Sequence, residues 1–153
     1  MSKSLTILIL LILSLTEAKG QLPFRTMFYN VENLFDTADN PRTEDDEFLP
    51  SGVRRWTGKR YSHKLRQIAR VITAAGGWDT PAIIGLCEVE NDTVISHLLY
   101  RTPLRQQHYR YCLSDSRDRR GINVAFLYQP LTNRYYLNRE AKRHKLFCQI
   151  LIC

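Results

Sequence analysis

Two glutamates that close a short apolar segment are the residues in this chain best suited to do chemistry. The segment spans residues 80–91, opens with Pro81, and places Glu88 and Glu90 two positions apart at its end. A short apolar run between turn signals predicts a strand buried on both faces, and alternate residues of a strand share one face. The two carboxylates are therefore expected side by side at a strand end, where α/β proteins collect ligands such as divalent cations. The competing interpretation is two solvated surface residues.

Two further polar groups are expected at strand ends. Asn30 stands near the end of a predicted strand over residues 24–31, and the sequence RDRR at residues 117–120 precedes a predicted strand over residues 121–128. A carboxylate binds Mg²⁺ through oxygen, a neighbouring amide orients a metal ligand or holds a phosphate oxygen, and arginine recognises phosphate with a fork of donors. Together they would form a phosphoryl-transfer site. Taken alone, each group is a weak signal.

The order of the predicted elements indicates an α/β fold. A helix is predicted from Ser62 to the stop at Gly76, and a second helix is expected to be capped by Asn91 and closed by Pro103. The apolar stripe of the first helix has helical spacing and consists of Leu65, Ile68, Ala69 and Ile72. With a further strand over residues 107–113, the order predicts parallel pairing first and an antiparallel hairpin last. We therefore expect a mixed β-sheet covered by helices.

Residues 36–60 are predicted to be a loop, which is long for a segment without structure of its own. Loops of this length are usually functional or disordered. The loop contains the acidic sequence EDDE at residues 44–47. This group could gather cations, but we favour a solvated surface for it.

The chain begins with a pattern typical of export. It has 153 residues, 44% hydrophobic and 24% charged, which suits one ordinary globular domain. The apolar residues 5–15 follow Lys3 and precede the small residues around Gly20, which predicts a signal peptide over residues 1–20 and a periplasmic or extracellular protein. The apolar run is too short for a stable membrane span, which takes roughly 20 residues.

Charge and cysteine content limit the partners only loosely. The net charge of +7 suits a phosphate ester or nucleic acid as partner, although a mild excess also serves solubility. The four cysteines match no zinc pattern. Cys87 and Cys112 are interpreted as small buried hydrophobes within strands, while Cys148 and Cys153 could pair after export.

Three motifs together resemble the endonuclease/exonuclease/phosphatase superfamily. They are FYNVENLFD at residues 28–36, IGLCEVEN at residues 84–91 and DRRGINVAFLY at residues 118–128, and they occur in family order. Residues 46–50 and 55–57 are similar to the secreted bacterial branch. The resemblance covers residues 24 to about 131. It implies a DNase I-like four-layer sandwich of two β-sheets with helices outside, and hydrolysis of a phosphate ester by a water activated by Mg²⁺ or Mn²⁺.

The resemblance also implies roles for single residues. Asn30 matches the active-site asparagine near metal and phosphate, and Glu88 matches the metal-binding glutamate, so both are candidate metal ligands. Arg120 lies in the segment that lines the substrate cleft and, with Asn30 and Glu88, is a candidate catalytic residue. Glu90 has no conventional family role. Asn123 stands where related sequences often carry aspartate, which would weaken a local contact.

Two later motifs of the superfamily are absent from this sequence. They are Gly-Asp-x-Asn and Ser-Asp-His, which supply the water-positioning aspartate, a phosphate-binding asparagine and a histidine–aspartate pair. We therefore expect residues 21–131 to be the N-terminal part of an incomplete domain and residues 132–153 to be a basic tail. Such a chain would be weakly active or inactive alone, and poorly soluble because strand edges and apolar surface stay open. The alternative is a non-catalytic remnant that binds anionic ligands through its basic loop and tail.

Overall fold

A computed structural model describes residues 25–77 and 80–130, which contain four strands and two helices. The strands are β1 (Thr26–Leu34), β2 (Ile83–Val89), β3 (Arg110–Leu113) and β4 (Asn123–Tyr128), and the helices are α1 (Gly58–Gly76) and α2 (Asp92–Tyr100). Short 3₁₀ turns occur at Asp46–Phe48 and Pro103–Gln107. The predicted signal peptide over residues 1–20 and the predicted tail over residues 132–153 lie outside the described residues.

The four strands form one mixed sheet in the order β1-β2-β4-β3. β1 and β2 are parallel and are joined through α1, whereas β4 is antiparallel to both β2 and β3. A right-handed helical crossover is the usual way to connect parallel neighbours, and residues 114–122 form the loop between the antiparallel strands β3 and β4. The predicted α/β class, with a mixed sheet and helices, is confirmed.

The helices and strands contribute to one hydrophobic core. The stripe predicted for α1 is buried, as are the apolar residues of α2, and both join the alternate buried residues of β2 and β4. The strand residues in this core are Val31, Leu34, Ile84, Leu86, Val89, Ala125 and Leu127. Burying one such side chain contributes roughly 1.5–3 kcal/mol. The core therefore fixes the sheet against its helices and holds the strand ends in place.

Two apolar strand residues, Phe28 on β1 and Val124 on β4, are exposed, while exposed polar residues of β1 include Thr26 and Asn30. Phe28 is 76% exposed and Val124 is 37% exposed. The ring of Phe28 lies against Gly85 on the neighbouring strand, since a Cβ added at Gly85 would come within 2.7 Å of it. The described residues thus form one sheet, and its face away from the core presents apolar side chains.

Helix α1 begins at Gly58, one turn earlier than the predicted start at Ser62. Thr57 has extended backbone angles and accepts the first helical hydrogen bond, from the amide of Tyr61 at 3.0 Å. Tyr61 is buried one turn before Leu65, so an aromatic residue opens the apolar stripe. The apolar face of α1 therefore begins one turn before Leu65, its first buried aliphatic residue.

The segment between β1 and α1, predicted to be an unstructured loop, is folded around aromatic rings. Phe35 and Phe48 stack with their ring centres 4.1 Å apart, and Trp56 Nε1 donates to the carbonyl of Phe35 at 2.9 Å. These contacts anchor the connection to the end of β1. A long connection can therefore be ordered by a few buried rings even where its sequence reads as a loop.

Three residues of the acidic group at residues 44–47 are exposed, as the sequence interpretation expects, whereas Asp45 is buried. Asp45 is only 2% exposed, Glu44 pairs with Arg119, and Glu47 pairs with Arg54 at 3.0 Å. Each exposed pair is worth at most about 1 kcal/mol. The pairs nevertheless tie this loop to the residue 117–120 loop and to the residues before α1.

Two smaller expectations can be compared with the structure. Cys112 is buried, as expected, and is also disulfide-bonded, whereas Cys87 is only partly buried and is a free thiol. Among residues 25–77 and 80–130, no helix combines the length and apolar character that crossing a bilayer requires.

Candidate functional site

The ends of β1 and β2 lie side by side, and both strands become irregular there. The register that pairs Asn30 with Cys87 shifts immediately after this pair. Glu32, Asn33 and Glu88 have φ angles of 56°, 59° and 63°. A non-glycine residue in this left-handed region costs on the order of 1–3 kcal/mol, and such residues cluster at functional sites. These irregularities re-aim side chains that a regular strand would place by alternation.

The structure brings the predicted residues Asn30 and Glu88 into direct contact. Asn30 Nδ2 donates to Glu88 Oε1 at 2.8 Å, and the backbone amide of Asn33 donates to Glu88 Oε2 at 2.9 Å. Asn30 Oδ1 accepts from the amide of Glu32 at 2.8 Å. This direction follows from chemistry, because an ionised carboxylate only accepts and a backbone amide only donates. Asn30 therefore holds Glu88 in place, and its own oxygen is turned away from the carboxylate.

Arg120, the third predicted site residue, pairs with Asp118 of its own loop and makes no hydrogen bond to Asn30 or Glu88. Its Nε and Nη2 each donate to Asp118 at 3.2 Å, and both side chains are partly exposed. The hydrogen bond to Asp118 raises the pKa of Arg120, and the negative charge of Glu88 raises it further. The predicted third residue of the site thus lies within electrostatic reach of Glu88.

Lys64 is a residue of this region that the sequence did not indicate. Its Nζ donates to the backbone carbonyls of Glu32 and, at 3.2 Å, of Asn33. Burial lowers the pKa of Lys64, while the charges of Glu32 and Glu88 act in the opposite direction. Because its partners are main-chain carbonyls in an irregular strand end, no side-chain pattern could have predicted the contact.

Glu90 is in a different environment from Glu88. It is 4% exposed, and its Oε2 accepts from the amide of Asp36 at 2.7 Å. Burial raises the pKa of Glu90 to about 7, against the effect of this hydrogen bond, and the charges of Asp36 and Asp45 raise it too. The interpretation of Glu90 as a solvated residue is wrong. Strand alternation fails here because β2 shifts register around Glu88 and ends at Val89.

Asn123 makes three hydrogen bonds, and the two that its Nδ2 donates could not be made by an aspartate. Its Nδ2 donates to the carbonyls of Glu90 at 2.7 Å and Gly121 at 3.1 Å, and its Oδ1 accepts from the amide of Ser116 at 2.8 Å. The amide ties the arginine loop to the end of β2. The expectation that asparagine weakens a local contact here stays a prediction.

The donors at this site suit a hard cation that keeps most of its water. Mg²⁺ prefers oxygen ligands and is commonly held by one or two carboxylates with several waters. Both oxygens of Glu88 accept one hydrogen bond and keep a lone pair, so Glu88 fits as the direct ligand with Asn30 orienting it. Within the described part of the chain, no group of three or more His, Cys, Asp or Glu side chains could hold a metal ion.

The sequence can now be compared with known proteins. The Endonuclease/Exonuclease/phosphatase family matches residues 25–147. The chain belongs to this family, whose members generally use divalent metals and act on phosphate esters or nucleic acids. The match continues past β4 into residues outside the described part. A search among curated proteins and a search among solved structures each gave no match.

Proposed function

We propose that this chain is a phosphoesterase by descent that uses Mg²⁺ or Mn²⁺, with Glu88 as the direct ligand of the ion. The observation that carries the proposal is the hydrogen bond between Asn30 and Glu88 across two parallel strands, at the point where both become irregular. Family membership supplies the reaction class. The two left-handed residues after Asn30 support it, because strain of this kind is retained where geometry serves function.

Each residue has a separate task in this proposal. Glu88 offers oxygen lone pairs to the cation, and Asn30 keeps the carboxylate in one orientation. Arg120 binds a phosphate oxygen by sharing the guanidinium that Asp118 now holds, since a planar fork suits phosphate as well as carboxylate. The ion, when bound, would stabilise negative charge on the phosphate and lower the pKa of a bound water.

We also propose that this chain by itself has low activity. The sequence contains neither Gly-Asp-x-Asn nor Ser-Asp-His. In the family these two motifs supply the groups that position water and protonate the leaving group, so this sequence has no such motif to supply them. Loss of a general base or acid commonly lowers the rate about 10²–10⁴-fold. Catalysis would then rest on electrostatic stabilisation alone.

The alternative, a remnant that binds anions without catalysis, has less support from the described residues. Arg119 pairs with Glu44 and Arg120 pairs with Asp118, so the loop that would bind anions is partly neutralised. The hydrogen bond between Asn30 and Glu88 would also have no function in a protein that only binds anions through its basic loop and tail.

Export is part of the proposed function. The sequence pattern over residues 1–20 supports a signal peptide, and a periplasmic or extracellular location would follow. Detection of the protein in the periplasm or medium with an N-terminus at Gln21 tests this point, and an intact Met1 terminus in the cytoplasm would contradict it.

Cleavage assays with matched variants test the proposed activity. Plasmid DNA and bis-p-nitrophenyl phosphate are incubated with Mg²⁺ and with the wild type, Glu88→Gln or Glu47→Gln. We expect cleavage that EDTA abolishes, that Glu88→Gln loses and that Glu47→Gln keeps, because Glu47 is a glutamate paired at the surface with Arg54. Equal background cleavage by the wild type and Glu88→Gln would overturn the assignment.

A further inference from the structure

The stretch of the chain that contains α1 and the residues just before it is strongly basic. Residues 48–77 contain seven Lys or Arg and no Asp or Glu. The first turn of α1 carries Lys59 and Arg60 and no acidic residue, although positive charge is unfavourable at a helix N-terminus. A sequence that keeps a locally unfavourable pattern marks a functional surface.

The basic side chains line a groove in which two of them, Arg60 and Lys64, are held in place. The groove has a volume of about 390 Å³ and is lined by Trp56, Lys59, Arg60, His63, Lys64 and Arg66. The Arg60 guanidinium lies 5.7 Å and Lys64 Nζ lies 5.4 Å from the Trp56 ring centre. Arg60 also donates to the carbonyls of Arg54 and, at 3.3 Å, of Arg55. Cations positioned in this way lose less side-chain entropy when they bind an anion.

Lys64 joins this groove to the site at the strand ends. It lines the groove and also donates to the carbonyls of Glu32 and Asn33, which flank the Asn30–Glu88 contact. A chain of phosphates lying in the groove would therefore continue toward Glu88. We propose that the Trp56–α1 groove binds the backbone phosphates of a nucleic acid strand next to the site at Glu88. This deepens the proposed function, because it names a polymeric phosphodiester as the ligand.

The chemistry of the groove favours nucleic acid over a membrane. Membrane-surface helices combine basic residues with apolar side chains that insert among lipids. Among the lining residues the one large apolar side chain is Trp56, which is 8% exposed and lies beneath Arg60 and Lys64. Four of the six lining residues are Lys or Arg, which suits phosphates that are bound without regard to base sequence.

Binding is tested without metal, so that the outcome does not depend on hydrolysis. The full chain in EDTA is titrated into a fluorescently labelled single strand of about 16 nucleotides, and anisotropy is read at several salt concentrations. The double variant Lys59→Ala/Arg66→Ala is compared with Arg105→Ala/Arg110→Ala, which removes the same charge from exposed positions outside the groove. The first pair should weaken binding roughly tenfold and lower the salt slope by about 0.7 per lost contact. The control pair should change little.

Three results would overturn the proposal. They are no binding of the strand at low salt, equal weakening by both double variants, and preferential binding to phosphatidylglycerol vesicles over the oligonucleotide. A third variant, Lys59→Arg/Arg66→Lys, should restore binding and thereby exclude misfolding as the cause of a loss. Binding without any metal-dependent cleavage would support the proposed phosphate-binding groove and contradict the proposed hydrolase activity.

Discussion

At the scale of single residues, the direction of hydrogen bonds decides what each side chain does. The resemblance predicts Asn30 and Glu88 as partners, and the structure places them in contact. It could not predict that Asn30 donates to Glu88 and so acts on the carboxylate, because that depends on the irregular backbone at Glu32. The metal-ligand role predicted for Asn30 stays a prediction. Lys64 shows the same limit, since its partners are carbonyl oxygens that no motif records.

Asn123 provides a test at this scale. Asn123→Asp removes two donated hydrogen bonds and places a carboxylate against the carbonyls of Glu90 and Gly121. We expect a loss of unfolding free energy of about 1–3 kcal/mol, measured by urea denaturation. The matched control is Asn40→Asp, because Asn40 uses its Oδ1 to accept from the amide of Arg42 and aspartate keeps that bond. Equal stability of both variants would show that the Asn123 amide does not tie the loop to β2.

At the scale of elements, periodicity predicted the core but not the site. The stripe of α1, the buried run of β2 and the cap at Asn91, which accepts from Val94 at 3.0 Å, follow from patterns that regular backbone obeys. The shared face expected for Glu88 and Glu90 does not follow, because alternation holds only while the backbone is regular. A pattern of side chains carries no signal for a register shift.

The buried carboxyl of Glu90 makes stability depend on pH. Its pKa is raised to about 7 in the folded chain, so the folded state holds a proton that the unfolded state releases between about pH 5 and 7. The unfolding free energy should therefore fall as pH rises through this window, by up to about 3 kcal/mol.

Thermal unfolding in EDTA between about pH 5 and 8 measures the effect. Glu90→Gln mimics the protonated form, can still accept from Asp36, and should flatten the profile. A wild-type profile as flat as that of Glu90→Gln would show that burial does not raise the pKa of the Glu90 carboxyl.

At the scale of the whole molecule, one face of the sheet packs on helices and the other presents apolar residues. The mixed sheet was predictable because the order of strands and helices restricts how the chain can connect them. The four-layer sandwich came from the resemblance. The described residues supply one of its sheets, and the ends of the chain, with the predicted signal peptide and tail, lie outside them.

Phe28 provides a test of the apolar face. Phe28→Thr replaces a ring that is 76% exposed with a polar residue suited to strands, and should lower self-association because less apolar surface is available for contact. Sedimentation velocity on the full chain measures the monomer fraction. Val53→Thr is the control, since Val53 is 91% exposed outside the sheet. A monomer fraction unchanged by Phe28→Thr, or changed equally by the control, would count against a role of this face in association.

The most direct test of the account is whether Glu88 holds a divalent cation. Mn²⁺ is titrated into the full chain and the free ion is counted by electron paramagnetic resonance, with the wild type, Glu88→Gln and Glu47→Gln compared side by side. We predict one site in the wild type and in Glu47→Gln, and binding at least about tenfold weaker in Glu88→Gln, as expected when an orienting or ligating group is lost. Equal Mn²⁺ affinity in all three proteins would contradict the account.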